Sequence, residues 1–89
     1  MTTLFVRHQV KNFTAWRQAY GDAAPLQKRA GVKAESVYQA EDDPNDVTLT
    51  HEFASLAEAK ALVGSAELRE AMDKAGVIGT PTIWFAHKA

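Results

Sequence analysis

Asp42-Asp43-Pro44-Asn45-Asp46-Val47-Thr48-Leu49-Thr50-His51-Glu52-Phe53 reads as a turn followed by a strand. Pro44 presets φ, and the Asx side chains around it bond to nearby backbone. From Val47 onward the alternation is strict. Val47, Leu49, His51 and Phe53 take one face, and Thr48, Thr50 and Glu52 take the other. The residues just before the turn, Lys33 to Glu41, read as another strand. So short a separation makes the two an antiparallel hairpin.

Working outward, residues 3–10 form a strand with Leu4, Val6, His8 and Val10 on one face and Phe5, Arg7 and Gln9 on the other. Asn12 is placed to cap a helix that carries Phe13, Trp16, Tyr20 and Ala23 at three- and four-residue spacing. Pro25 lacks an N–H and clashes with the preceding turn, so a break is expected there. A short helical piece then runs to Ala30, and Gly31 stops it. Downstream of the hairpin, Ser55-Leu56-Ala57-Glu58 fits a capping box. The helix it opens is interrupted at Gly64, restarted by Ser65 and ended at Gly76. A last strand covers about Thr80 to His87, with Ile83 and Phe85 on one face and Trp84 on the other.

The order is β-α-β-β-α-β, an α+β plait. Right-handed crossovers predict a four-stranded antiparallel sheet of order 4-1-3-2 with the helices on one face. Strands one and three are read as its central neighbours, running parallel to each other. Residues 1–89 leave room for a single domain.

Composition narrows the function classes. Ten Lys/Arg against eleven Asp/Glu give a net charge of −1, which offers no footprint for nucleic acid or an anionic membrane. No apolar stretch approaches a membrane span, and the N-terminus lacks a signal-peptide layout. A cytoplasmic location is expected. The chain has no cysteine, so neither disulfides nor thiolate metal sites staple this small domain. Oligomerisation is the remaining remedy. The strand face away from the helices gathers Phe5, Arg7, Tyr38, Thr48, Thr50, Glu52 and Trp84. Three aromatics among polar groups suit an interface, so a homodimer is expected through Phe5, Arg7, Tyr38, Glu52 and Trp84. Arg7 and Glu52 are expected to pair there.

Several stretches together resemble one family. They are Phe5-Val6-Arg7-His8, Phe13-x-x-Trp16, the turn Asp42 to Val47, Glu52-Phe53-x-Ser55-Leu56, Ser65-x-Glu67-Leu68-Arg69-Glu70-Ala71-Met72 and Ile83-x-Phe85. Over nearly its whole length the chain is similar to the dimeric α/β-barrel superfamily, which has a ferredoxin-like plait. Within it, the chain resembles small bacterial antibiotic-biosynthesis-monooxygenase-like or cyclase-like proteins. The resemblance implies two sheets packed back to back and a ligand pocket between helices and sheet. Haem-degrading members use a helical histidine, and residues 65–75 contain none.

His8 and His51 are the candidate catalytic residues. Both fall on the apolar phase, near the C-terminal ends of the central strands. With those strands parallel, the imidazoles lie within a few ångströms of each other and point towards Trp16 and Tyr20. A buried neutral imidazole suits a general base. No carboxylate is assigned to the same phase, and His87 falls at the far end of its strand, so no metal site is expected. Trp16, Tyr20, Leu68 and Met72 are the candidate lining of a pocket for a small apolar or aromatic ligand, although the same spacing also suits a plain core stripe. The leading expectation is a cofactor-independent monooxygenase or cyclase acting on an aromatic or polyketide-like substrate by histidine-assisted proton abstraction. The competing expectations are a non-catalytic dimeric binding or regulatory module, and a domain that docks a partner protein through an edge strand. Nothing in the sequence calls for a metal, flavin or haem.

Overall fold

A computed structural model describes Met1 to Ala89. The elements are β1 (Thr2–Val10), α1 (Phe13–Asp22), α2 (Ala24–Ala30), β2 (Ala34–Ala40), β3 (Asp43–Phe53), α3 (Leu56–Val63), α4 (Ala66–Ala75) and β4 (Val77–Ala86). They form one four-stranded sheet of order β2-β3-β1-β4. This is the α+β plait expected from the sequence.

Every neighbouring pair is antiparallel, including β1 with β3. The parallel reading of these two strands is therefore corrected. The α1–α2 crossover makes β2 run the same way as β1. The hairpin then reverses the chain, so β3 must oppose β1. Leu4 faces His51, Val6 faces Leu49 and His8 faces Val47.

The hairpin is tighter than the turn signal suggested. Ala40 pairs with Asp43, leaving Glu41 and Asp42 as the turn, and the register then shifts before Gln39 meets Val47. Pro44 falls in that irregular stretch, where its missing N–H leaves no gap in the ladder. The Asx residues also serve the next layer. Asp43 Oδ1 accepts the Asn45 N–H at 2.9 Å, and Asn45 Oδ1 accepts the N–H of Phe13 at 2.9 Å. Asn12 Oδ1 accepts the Ala15 N–H at 2.9 Å. The first turn of α1 thus has two of its orphan donors satisfied by side chains, which fixes the entry of α1 over the sheet.

The other helix limits follow local chemistry. Ala23 separates α1 from α2, with proline in the first turn of α2. Gly31 and Gly76 close α2 and α4 with φ of 96° and 82°, in the left-handed region that glycine enters without steric cost. Ser55 and Ser65 cap α3 and α4. β4 starts earlier than expected, at Val77, because its register against β1 shifts. Arg7 pairs with Thr82 but Gln9 pairs with Ile78, so Gly79-Thr80-Pro81 bulges out opposite His8.

The core is a single apolar cluster. Leu4, Val6, Val10, Val47, Leu49 and Phe53 rise from the sheet, and Trp16, Ala59 and Leu62 descend from the helices. α4 contributes no fully buried residue and covers the sheet only with the half-buried Leu68, Met72 and Ala75. No helix is long and apolar enough to cross a membrane.

Candidate functional site

The strand alternation that buries Leu4 and Val6 also carries His8 and His51 under the helices, where they are 6% and 4% exposed. They are the only buried polar side chains. They do not adjoin each other. His51 faces Leu4, four residues from His8 along β1. Four residues of strand are about 13 Å. The expectation of imidazoles within a few ångströms is overturned, because antiparallel strands put their C-terminal ends at opposite ends of the sheet.

Aromatic rings of α1 bridge the gap. His8 meets the edge of Trp16 at a centroid distance of 5.7 Å and 71°. Trp16 stacks on Tyr20 at 4.9 Å, and Tyr20 lies over His51 at 6.0 Å. The spacing of Trp16 and Tyr20, four apart on one helix face, sets this order.

The same rings line a cavity. His8, Trp16, Tyr20, His51, Leu68 and Met72, the six residues singled out in the sequence, all border one space between helices and sheet. It holds about 60 Å³. An engineered apolar cavity that admits benzene is about 150 Å³, more than twice as large.

His51 has an ordered partner chain. Its Nε2 lies 2.9 Å from the Tyr20 hydroxyl, and that hydroxyl donates to Glu35 Oε2 at 2.9 Å. Glu35 pairs with His51 across β2 and β3 and so shares its face. The sequence reading missed this carboxylate. The deciding feature is the register shift in the hairpin. A plain turn at Glu41-Asp42 would set Glu35 opposite Thr48, and the shift between Gln39 and Ala40 instead puts Glu35, Val37 and Gln39 opposite His51, Leu49 and Val47 on the histidine face. A carboxylate only accepts, and a phenol has one proton. With that proton given to Glu35, Nε2–H donates to the Tyr20 oxygen. This donor count assigns the Nε2–H tautomer, leaving Nδ1 as a bare lone pair. Nδ1 is buried and has no hydrogen-bond partner in the protein.

Neither ring nitrogen of His8 has a protein partner. Burial pushes the pKa of both histidines down from the usual imidazole value. Asp46 opposes this for His8 and Glu35 opposes it for His51, each by the smaller effect. Tyr20 moves up, because burial and then its bond to Glu35 disfavour the phenolate.

The opposite sheet face is open. Phe5 and Trp84 stack there at 5.1 Å, with planes 3° apart. Trp84 and Tyr38 remain exposed. Arg7 does not pair with Glu52. It forms a two-pronged bond with Asp46, at 3.1 Å from Nε and 2.6 Å from Nη2. Arg7 faces Thr48, whereas Glu52 faces Thr3 four residues along β1, beyond reach. Asp46 reaches Arg7 from beside Gln9. The pair raises the Arg7 pKa and lowers that of Asp46, first through the hydrogen bond.

No family model and no curated protein sequence matches the chain. Solved structures do match. A protein from Bordetella bronchiseptica, provisionally described as an antibiotic biosynthesis monooxygenase, superposes with a TM-score of 0.85 at 16% identity, covering 99% of this chain and 96% of that one. The fold is that of the antibiotic-biosynthesis-monooxygenase-like proteins. SnoaB, a cofactor-independent oxygenase from Streptomyces nogalater, has the same fold, with a TM-score of 0.75 at 11% identity over 99% of this chain and 94% of its own. A Nitrosomonas europaea protein of unknown function matches at 24% identity and a TM-score of 0.72, over 96% of this chain and 85% of its own. The antibiotic-biosynthesis-monooxygenase-like fold thus agrees with the resemblance drawn from the sequence.

Proposed function

We propose that this protein is a cofactor-independent monooxygenase for a small aromatic substrate, with His51 as general base and His8 as a second polar contact for the substrate. The observation that carries this reading is a pair of buried imidazoles, unpartnered at three of their four ring nitrogens, on the wall of one apolar cavity. An unsatisfied buried polar group is costly, and a ligand that bonds to it removes the cost. The described activities of fold neighbours agree with the reading, although fold alone does not assign chemistry.

His51 Nδ1 takes a proton from an acidic C–H of the substrate, leaving a carbanion. The carbanion adds dioxygen, and a returned proton completes a hydroperoxide. Loss of water then leaves a carbonyl group. The apolar wall favours this route by keeping the base neutral and water away from the carbanion.

The cavity volume constrains the substrate. With about 60 Å³ available, even one aromatic ring enters only if the cover shifts. α2 and α4 both border the cavity and bury no residue fully, so their displacement opens it without exposing a fully buried side chain of their own. The test is oxygen uptake with a phenolic or anthrone-like aromatic probe. The His8→Gln, His51→Gln double variant is expected to fall roughly 100-fold or more. Equal uptake by both proteins would end this reading. The small volume also favours a second reading, a non-catalytic binding module. It predicts saturable binding of the same probe with no uptake by the wild type.

We further propose that the open face pairs with a second copy of the chain. Phe5 and Trp84 form a flat stacked platform, Tyr38 is exposed on the same face two strands away on β2, and the Arg7–Asp46 pair adds a polar contact group. Glu52 lies on the same face. A Trp84→Glu change is expected to weaken the dimer by about 2 kcal/mol or more, roughly thirtyfold. Sedimentation over a dilution series measures this. A wild type that is monomeric at micromolar concentration contradicts the proposal.

A further inference from the structure

We propose that Glu35 and Tyr20 form a proton relay that connects the buried His51 ring to solvent and holds it in its basic tautomer. The proposal rests on the reading of His51 as a base but goes beyond it. It assigns roles to two residues, one of them an exposed carboxylate on an edge strand of the sheet.

The geometry is a continuous line of hydrogen bonds. His51 Nε2, the Tyr20 oxygen and Glu35 Oε2 are joined by two contacts of 2.9 Å each. One end of the line is buried with the imidazole, and the other end is the exposed carboxylate. Such a chain moves protons without moving heavy atoms. When Nδ1 receives the substrate proton, Nε2 passes its proton to the Tyr20 oxygen as the phenol passes its own to Glu35. The phenol is neutral before and after. Glu35 then releases the proton to water, leaving a neutral Nδ1–H imidazole. In the second half of the cycle Glu35 takes a proton from water and the line runs backwards. Nδ1–H is delivered to the peroxide oxygen, and the Nε2–H tautomer is restored. One proton leaves and one returns, so the cycle balances.

The location of Glu35 suits this task better than a plain structural one. An exposed bond between Tyr20 and a carboxylate adds little stability. The same bond decides which way the phenol proton points, and therefore which nitrogen of His51 is bare. Without Glu35, the Tyr20 proton is free to turn to Nε2, and the imidazole proton then moves to Nδ1, where it blocks the base.

The experiment is nitrogen-resolved NMR of the histidine rings in ligand-free protein. The wild type is expected to carry the His51 proton on Nε2. Glu35→Ala is expected to move it to Nδ1 while the rest of the spectrum stays folded. Because Glu35 is exposed, this variant keeps its core. A His51 proton that stays on Nε2 in Glu35→Ala overturns the proposal, as does a wild type already protonated at Nδ1. In the oxygen-uptake assay, Glu35→Ala is expected to lower kcat roughly tenfold or more with KM little changed. The two readouts fail separately. A tautomer switch without any wild-type uptake removes the oxygenase reading but leaves the hydrogen-bond line intact. Wild-type uptake that Glu35→Ala does not slow removes the relay and leaves His51 as the base.

Discussion

A His8→Leu variant is expected to be more stable than the wild type by about 1–3 kcal/mol and to lose the ability to hold a polar aromatic ligand. Most substitutions of a buried residue destabilise, so the sign of this effect is diagnostic. His8 is 6% exposed, and neither of its ring nitrogens has a protein partner. Its neighbours are apolar. Val47 on β3 faces it, and the Trp16 ring packs against it in a T-shaped pair. Leucine fills a similar volume, buries no polar atom and keeps the β1 alternation. Removing an unpaired donor and acceptor relieves a desolvation penalty without breaking any bond. A group that costs stability and makes no structural bond is the kind that function retains. The Gly79-Thr80-Pro81 bulge adds to this, since it interrupts the β1–β4 ladder at the residue that carries the unpartnered ring. Urea midpoints with an unchanged m-value measure the stability, and titration with the phenolic probe measures the binding. If His8→Leu unfolds at lower urea than the wild type, His8 is a structural residue and the two-point contact to substrate is wrong.

Much of this arrangement was legible in the sequence. The periodicity of Val47 to Phe53 and of residues 3–10 gave the faces directly, because burial of one sheet face forces alternation. Asn12, Ser55, Ser65, Gly31 and Gly76 marked helix limits through backbone donors and φ values that few residue types satisfy. The pocket lining could be named for the same reason: His8, His51, Trp16 and Tyr20 all lie on apolar phases. Strand direction was harder, since alternation carries no information about it. Direction follows only from the crossover and the hairpin taken together, and the parallel reading set His51 beside His8, whereas the antiparallel pairing holds it about 13 Å away. Glu35 and Asp46 were missed for a related reason. Each depends on hairpin register, which the density of turn residues from Asp42 to Asp46 obscured. Two of those turn residues, Asn45 and Asp46, bond to α1 and to Arg7. A local sequence pattern does not reveal such distant partners.

Stability is expected to fall as pH drops below about 6.5, before the carboxylates titrate, with a slope of up to roughly 1.4 kcal/mol per pH unit for each buried histidine. Burial lowers the pKa of both His8 and His51 in the folded chain. In the unfolded chain each imidazole takes up its proton near pH 6.5, while the folded chain still refuses it. The unfolded state therefore binds more protons across this window, and stability rises with pH through it. The full contribution is present above pH 6.5 and is lost towards the depressed folded values. The Arg7–Asp46 pair also fails in acid, but by a different route. Asp46 is lowered by its bond to Arg7, so its contribution is present above the ordinary aspartate value near 3.9 and is lost only below it. At the alkaline end the sign reverses. Tyr20 is raised by burial, so the unfolded chain releases its phenol proton first, and stability declines as pH rises beyond about 10. Urea unfolding at stepped pH values traces the curve. The His8→Leu, His51→Leu double variant is expected to be flat between about pH 5 and 6.5 and to keep the later fall below pH 4. Should the double variant show the wild-type slope in that window, the two imidazoles are not the buried neutral groups on which the proposed chemistry depends.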